Sequence, residues 1–290
     1  LGGDLRQLLG ERHAHAAQRL SEAVHMLDQA LLITHWADAD AHWAAADLRC
    51  DLLLDLDLGP RLDAAQALRR QLSHTPAQQA QAAQAELGTL LYRGDLDAVV
   101  AQASAALEAA QAARDEGAWV AVNTVLARAQ ARRGAIDQAV TLMQETAPRA
   151  EALGNDAACT HHGVLGGILQ TALRVGEARL ALQKSLALAL KLDRHADSVN
   201  LWHNLAICEH FIGRAHDALP LLQKSHEAAQ RHGAEGVATQ HLAATMAAVL
   251  LDLNRYRDAW PWIERAETDL RRTLFEQTGG IYPELVTRPD

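Results

Sequence analysis

Histidine is the residue type with the most evident capacity for chemistry in this chain, because 15 of the 290 residues are histidines. Three pairs lie close enough in sequence to be considered as metal ligands: His13 with His15, His161 with His162, and His203 with His210. Neither of the first two pairs has the four-residue spacing that places two imidazoles on one helix face. His203 and His210 do share a face, and Glu209 is adjacent. Solvated or hydrogen-bonded histidines are the simpler interpretation, and no metal site is predicted.

The usual signatures of catalytic and phosphate-binding sites do not occur in the sequence. It contains no G-x-x-x-x-G-K-[ST], no H-E-x-x-H and no G-x-S-x-G. Gly166 and Gly167 lie inside a helical pattern, with Gly163 one turn earlier, so they do not form a phosphate loop. The acidic run DLLLDLDLG at 51–59 is interpreted as the end of a helix, with calcium binding by loop carboxylates as the alternative. We therefore expect neither enzymatic activity nor a cofactor.

The composition favours helices and argues against two classes of partner. The chain is 49% hydrophobic but only 4% aromatic, so Ala and Leu must build most of the core. Thirty-six acidic residues against 27 basic ones give a net charge of −9, which repels nucleic acid and anionic lipid. No apolar run is long enough to span a bilayer. Direct nucleic-acid binding and membrane insertion are not expected.

The cysteine spacing suggests a cellular compartment, and the first residues suggest how the chain relates to a longer protein. Cys50, Cys159 and Cys208 are far apart, which suggests neither a disulfide framework nor a zinc site. This pattern favours the reduced cytoplasm. The chain begins with LGGD and has no basic segment followed by an apolar one, so it does not resemble a secretory precursor. We expect it to be a segment of a larger protein.

The sequence contains a repeat marked by residues that are expected to end helices, and this repeat would position any functional residue. Gly59, Gly94, Gly134, Gly176, Gly213 and Asn254 recur at intervals of 35 to 42 residues. Glycine and asparagine readily adopt the left-handed conformation that ends a helix. Five residues after each break stands a small or β-branched residue: Ala64, Val99, Ala139, Ala181, Ala218 and Ala259. A small residue there allows two antiparallel helices to approach closely, so each break predicts a helical hairpin.

The apolar residues around Gly213 have helical spacing. Leu201, Trp202, Leu205, Cys208 and Ile212 form one stripe, and Trp202 is expected to be largely buried against Ala218. Between repeats, helix caps are predicted at 74–76, 154–156 and 196–198. Because no single helix can bury its stripe alone, stacked hairpins would share a continuous core, as in a helical solenoid.

These features resemble the tetratricopeptide repeat family. Its W-x2-L-G signature corresponds here to Trp202, Leu205 and Ala206, and degenerate copies carry Asn123, Leu126, Ala127 and Leu165, Ile168, Leu169. The resemblance implies an all-α, right-handed solenoid of about six helix pairs over 38–277. Residues 1–37 would hold a helix from an earlier pair, and 278–290 a tail. The long repeat resembles the helical arrays of large bacterial STAND and transcriptional regulators.

The same resemblance places the first helix of each pair along a concave groove. Counting back from each break gives the ligand-contacting positions, which are nearly devoid of acids: Arg49, Gln81, Gln84, Tyr92, Thr124, Arg128, Arg132, Gln170, Arg174, Asn200, His203, His210, Phe211 and His241. Arg128 and Arg132 are one helical turn apart and suit a carboxylate or phosphate. With Arg174, they are expected to lack saturating acidic partners. The alternative is that these residues are solvated or paired with acids of a neighbouring repeat. Gly163 and Gly166 would leave a shallow gap on the same face or serve close helix packing.

The favoured hypothesis is a non-enzymatic binding module that recognises a protein or peptide, or a small effector, within a larger bacterial regulatory protein. The partner would be acidic or carry a free carboxylate. A stand-alone adaptor or spacer is one alternative. A helical enzyme is the other, and it would require carboxylates converging with His203 and His210 in a closed pocket.

Overall fold

The computed structural model describes residues 18–32, 38–56, 59–232 and 241–278, and the regular elements within these ranges are all α-helices. We number them α1 (18–31), α2 (Ala39–Leu56), α3 (Pro60–Leu72), α4 (Pro76–Arg93), α5 (Leu96–Ala113), α6 (Glu116–Arg132), α7 (Ile136–Ala152), α8 (Asn155–Thr171), α9 (Val175–Lys191), α10 (His195–Phe211), α11 (Ala215–His232), α12 (Leu242–Asp252) and α13 (Tyr256–Thr278). The predicted all-α class is confirmed. No helix in the described ranges is long and apolar enough to cross a membrane.

The helices form two compact units, Leu1–Gly134 and Ala135–Asp290, called the first and second unit below. In the first unit α4 packs on α5 and α6; in the second, α8 packs on α9 and α10 on α11. The even-numbered helices are the first members of the predicted hairpins, and the odd-numbered helices from α3 onward are the second members. Contacts between neighbouring helices within each unit are the arrangement expected of stacked hairpins.

Most predicted breaks coincide with the observed helix ends. Gly94, Gly134, Gly213 and Asn254 have φ values of 82°, 87°, 80° and 58°, in the left-handed region. Gly59 differs in conformation, because it precedes α3 in an extended conformation with φ −87°. The glycine and asparagine pattern therefore located these helix ends correctly.

The break predicted at Gly176 is wrong, because this glycine lies inside α9. The chain turns instead at Leu173, which has a φ of 57°. Five residues after Leu173 is Ala178, which is fully buried, whereas Ala181 retains a little exposure. Val99, Ala139, Ala218 and Ala259 are also fully buried, and in α3 it is Ala65 rather than Ala64 that is enclosed.

The left-handed conformation of Leu173 leads to a stability prediction. Leu173→Gly should raise the free energy of unfolding by about 1 kcal/mol, because an L side chain is strained at positive φ and glycine is not. Gly213→Ala should have the opposite sign for the same reason. Urea denaturation followed by circular dichroism measures both. A destabilised Leu173→Gly variant would show that the exposed leucine side chain stabilises the turn more than its backbone strain costs.

The predicted helix caps are observed before α4 and α8 but not before α10. Thr75 and Gln78 form a capping box before α4, as the sequence indicated. Gly154 precedes α8, which begins at Asn155. The cap predicted at 196–198 is wrong, since α10 already begins at His195 after Arg194. Arg194 Nε donates to Asp197 Oδ2 at 2.6 Å, so the first turn is held by an ion pair.

A four-residue repeat in the second unit fixes the second helix of two hairpins to the first. The sequence LQKS occurs at 182–185 in α9 and again at 222–225 in α11. Ser185 Oγ donates to the Cys159 carbonyl at 2.8 Å, and Ser225 Oγ donates to the Val199 carbonyl at 2.8 Å. Both serines are buried, so each hydrogen bond satisfies a polar group inside the core. The two hairpins thus repeat in side-chain chemistry as well as in helix order.

The prediction that Trp202 is largely buried holds in part, because its side chain is partly buried at the edge of the core and not inside it. Leu201, Leu205 and Ala206 of α10 are buried, whereas Trp202 is half-buried. Lys224 Nζ lies 4.6 Å from the centroid of its ring. The indole therefore occupies the margin of the helix interface, next to a surface groove described below.

All three cysteines are buried and unpaired. Cys50 belongs to the first unit, and Cys159 and Cys208 belong to the second. Burial raises the pKa of Cys50 to about 11 and also raises the pKa of Cys208. At neutral pH these two thiols are protonated core residues.

Candidate functional site

A cavity of the first unit lies along its first helices. It has a volume of about 660 Å³ and is bounded by α2, α3 and α4. We call this cavity, together with the neighbouring arginines of α6, the first-unit face. Its members are Asp47, Asp51, Gln81, Gln84, Gly88, Tyr92, Arg128 and Arg132. Three of the predicted contact residues, Gln81, Gln84 and Tyr92, therefore line one cavity.

The α4 side of the first-unit face is open and partly aromatic. Gln84, Gly88 and Tyr92 follow one another at four-residue spacing, so they share a helix face. Tyr92 is 73% exposed. A Cβ at Gly88 would meet nothing within 4 Å. This side offers a flat surface on which an extended chain could lie.

Arg132 of α6 stands next to the C-terminal end of α4, and Arg128 lies one helical turn before it on α6. Arg132 Nη1 donates to the Leu91 carbonyl at 2.7 Å, which ties α6 to the last turn of α4. Neither Arg128 nor Arg132 forms an ion pair with an acid of the described residues. The pKa of Arg128 is lowered by partial desolvation and by the neighbouring charge of Arg132. The pair is thus a local concentration of positive charge that an anionic group would relieve.

The α2 side of the first-unit face has its charges satisfied internally. Asp47 accepts hydrogen bonds from buried Arg69 at 3.0 Å and from Gln81 at 2.8 Å. Arg69 also donates to the Ala82 carbonyl. Sequence reasoning did not identify Arg69, because a buried arginine cannot be distinguished from an exposed one by its spacing. Asp47 on the α2 side is therefore paired, whereas the α6 side contributes two arginines.

Two other predicted contact residues of the first unit serve the fold. Arg49 Nε donates to Asp28 Oδ1 at 2.5 Å, so its guanidinium links α2 to α1. Thr124 is buried, and its hydroxyl donates to the Val120 carbonyl at 2.8 Å. These contacts tie both side chains to their own unit.

In the second unit, Arg174 contradicts the expectation of a free guanidinium. Its Nε and Nη2 donate to the two carboxylate oxygens of Glu177 at 2.7 and 2.6 Å. This bidentate pair at the start of α9 gives the arginine an acidic partner. Gln170 is also engaged, since its Nε2 donates to the Asn204 carbonyl at 2.7 Å. Asn200, Phe211 and His241 are exposed.

The two histidines proposed for an enzymatic pocket instead connect α10 to α12. His203 Nε2 lies 2.9 Å from Thr245 Oγ1, and His210 Nε2 lies 2.6 Å from Asp252 Oδ2. His203 is buried, and burial is the main cause that lowers its pKa to about 4. Glu209 pairs with Arg179. Within the described residues a carboxylate contacts His210 but none is paired with His203, so the convergence on both histidines that the enzyme alternative required is not observed.

The glycines of α8 serve close packing, and the predicted gap is wrong. A Cβ at Gly166 would stand 2.5 Å from Leu182 Cγ, and one at Gly163 would stand 3.1 Å from Ser185 Oγ. The adjacent His161 and His162 are buried beside them. Across the described residues, no three His, Cys, Asp or Glu side chains are grouped as metal ligands. His13 and His15 lie outside those residues.

Comparison with known proteins agrees with the helical repeat. Residues 156–231 match the tetratricopeptide repeat family. The matched segment runs from α8 into α11, where the LQKS repeat lies. The curated proteins contain no match to the chain.

Several solved structures share the fold at low sequence identity. The apo form of RapI is 12% identical, with 90% of this chain and 76% of RapI covered, at a TM-score of 0.61. NprR in complex with its cognate peptide NprX is 12% identical, with 99% and 86% covered, at 0.60. A STAND protein with a tetratricopeptide repeat sensor from Pyrococcus horikoshii is 13% identical, with 91% and 43% covered, at 0.65. The predicted helical-hairpin solenoid fold is confirmed by these likenesses.

Proposed function

We propose that this chain, a tetratricopeptide-like repeat protein in fold and in repeat sequence, is a non-enzymatic scaffold that binds a protein or peptide partner on the first-unit face. The observation that carries the proposal is the pair Arg128 and Arg132. Neither guanidinium group has an acidic ion-pair partner among the described residues, and Arg132 donates to the Leu91 carbonyl, next to the exposed Tyr92.

The charge distribution favours an anionic group on the partner. The chain has a net charge of −9, so a basic pair without acids is a local exception. Two guanidinium groups one turn apart can donate several charge-assisted hydrogen bonds to one carboxylate. Tyr92 offers an exposed ring against which the rest of a peptide could pack. A peptide with an acidic side chain or a free C-terminal carboxylate meets both requirements.

The solved relatives support a place in a regulatory protein. One is a Rap protein complexed with Competence and Sporulation Factor, and NprR holds its cognate peptide. The STAND protein carries its tetratricopeptide repeats as a sensor, and this chain spans 43% of its length. We therefore assign this chain to the effector-sensing or partner-binding part of a larger bacterial cytoplasmic regulator. Direct nucleic-acid binding is not part of the proposed role.

Peptide selection tests the proposal. A synthetic library of octapeptides with free C-termini is passed over the immobilised protein, and retained sequences are identified by mass spectrometry and their Kd measured by fluorescence polarisation. We expect enrichment in Asp and Glu and an affinity that falls as salt rises. Arg128→Ala with Arg132→Ala should weaken binding of the retained peptides about tenfold or more, because charge-assisted hydrogen bonds are lost.

A charge-matched control separates local recognition from general electrostatics. Arg70→Ala with Arg133→Ala also removes two positive charges from the first unit, but these arginines pair with Glu86 and Asp97. This control should retain binding within about twofold, because both guanidinium groups are already paired with acids. Equal weakening by both double variants, or unchanged binding by a folded Arg128/Arg132 variant, would remove the first-unit face from the proposed function.

A further inference from the structure

A second groove lies in the second unit, on the side of the second helices. It has a volume of about 480 Å³ and runs between α9 and α11, with α10 as its floor. Its apolar walls are formed by Leu186, Leu190, Trp202, Pro220 and Leu221. Leu190 is exposed and Trp202 half-buried, so apolar surface faces solvent here. We call this the α9–α11 groove.

The inner end of the α9–α11 groove contains a carboxylate with unused hydrogen-bonding capacity. Glu209 is only 9% exposed. Arg179 Nη1 donates to its Oε1 at 3.3 Å, while Arg214 Nη1 stands 3.6 Å from Oε2. Oε2 is buried and accepts no hydrogen bond. A buried acceptor without a donor costs free energy, which a donor from an occupant would recover.

The charges around the groove select against an ionic occupant. Arg179 and Arg214 oppose Glu209 and Asp217, so the lining has no net formal charge. An additional cation would face two arginines, and an additional anion would face two carboxylates. A neutral group with an apolar body and one donor fits better. The volume of the α9–α11 groove also falls within the range of about 300–1,000 Å³ that is typical of ligand pockets.

We propose that the α9–α11 groove binds a tryptophan side chain of a partner protein, with the indole ring against Trp202 and the leucines and its N–H donated to Glu209. Aromatic residues with a polar tip are frequent anchors of protein interfaces because they bury a large area and still make one directed hydrogen bond. The site is independent of the first-unit face, which lies in the other unit and was assigned an anionic ligand.

Small probes test this groove on the full chain. N-acetyl-tryptophanamide is titrated and followed by NMR chemical shifts, against N-acetyl-1-methyltryptophanamide, which keeps the ring but lacks the N–H donor. We expect saturable shifts confined to α9, α10 and α11, with the donor-free probe at least fivefold weaker. Ala187→Trp, which fills the groove from an exposed position of its wall, should abolish these shifts.

Two further variants make the outcome decisive. Ala196→Trp adds the same side chain at an exposed position outside the groove lining and should leave binding unchanged. Glu209→Met, which has no oxygen to accept the N–H, should remove the preference for the N–H probe while the apolar contact remains. The Arg128/Arg132 double variant should bind the probe as well as the unaltered protein does. Equal affinity for both probes, shifts that persist in Ala187→Trp, or no saturable binding would overturn the proposal.

Discussion

Acidification from pH 7 to pH 4 should unfold the second unit. His161, His162, His203 and His226 all have lowered pKa values, and all belong to this unit. For His161 and His203, burial is the main cause and lowers the pKa from 6.5 to about 4. His161 is 1% exposed, and neither of its ring nitrogens makes a hydrogen bond.

The direction of the pH effect follows from these lowered values. The folded state holds both imidazoles neutral, whereas the unfolded chain protonates them near pH 6.5. The contribution of these two neutral histidines to the free energy of unfolding is therefore fully present above pH 6.5. It is lost as the pH falls towards 4. A pKa shift of this size corresponds to a free energy of about 3 kcal/mol for each histidine. The two together are comparable to the total stability of a small domain.

Hydrogen exchange measured by mass spectrometry at a series of pH values shows which unit loses stability on acidification. Peptides from α8, α9 and α10 should lose protection between pH 6.5 and pH 4, after correction for the intrinsic exchange rate. His161→Met should flatten this dependence, because methionine fills the site without titrating. His216→Gln is the control, since this histidine is exposed. A second unit that stays fully protected at pH 4 would contradict the prediction.

Gly166→Ala should lower the free energy of unfolding by about 1–3 kcal/mol, the cost of placing an extra carbon into a filled interface. The added Cβ would meet Leu182 Cγ at 2.5 Å and Leu182 Cδ2 at 2.7 Å. The adjacent Gly167 is a matched control on the same helix, where a Cβ would meet nothing within 4 Å. Gly167→Ala should stabilise the protein by about 0.5–1 kcal/mol through helix propensity.

Denaturant titration of the two glycine variants measures the difference directly. Gly166→Val should be less stable than Gly166→Ala, because the branch adds further atoms at the contact with Leu182. If Gly166→Ala and Gly167→Ala change stability by the same amount, then α8 and α9 can separate without cost. That result would contradict the close packing inferred for these helices.

The repeat itself could be predicted from sequence because its signals are local. A glycine or asparagine that ends a helix, followed by a small residue at the helix contact, needs no knowledge of distant residues. The error at Gly176 shows the limit of this reasoning. A glycine is also tolerated inside a helix, and Leu173 adopts the left-handed turn because Ala178 must occupy the buried position that follows.

The candidate site was less predictable, because it depends on which polar partner each side chain finds. Neither Arg128 nor Arg132 has an acidic ion-pair partner in the part of the chain that the structure describes, which agrees with the expectation. Arg174 does not, although its partner was visible as an acid three residues later. The same spacing joins Arg194 to Asp197 and Arg255 to Asp258, so an arginine before a helix with an acid in the first turn is a recurring clamp. Trp202 matched the family signature, yet its side chain lines the α9–α11 groove.

Chemical labelling of the three buried cysteines would report local opening of the protein. A maleimide or disulfide reagent can reach a buried sulfur only when the surrounding helices part, so the labelling rate measures how often they do. Cys50 would report on one unit, and Cys159 with Cys208 on the other. Intact-mass spectra distinguish molecules that have gained one, two or three labels. The opening of the two units can thus be followed with the native cysteines alone.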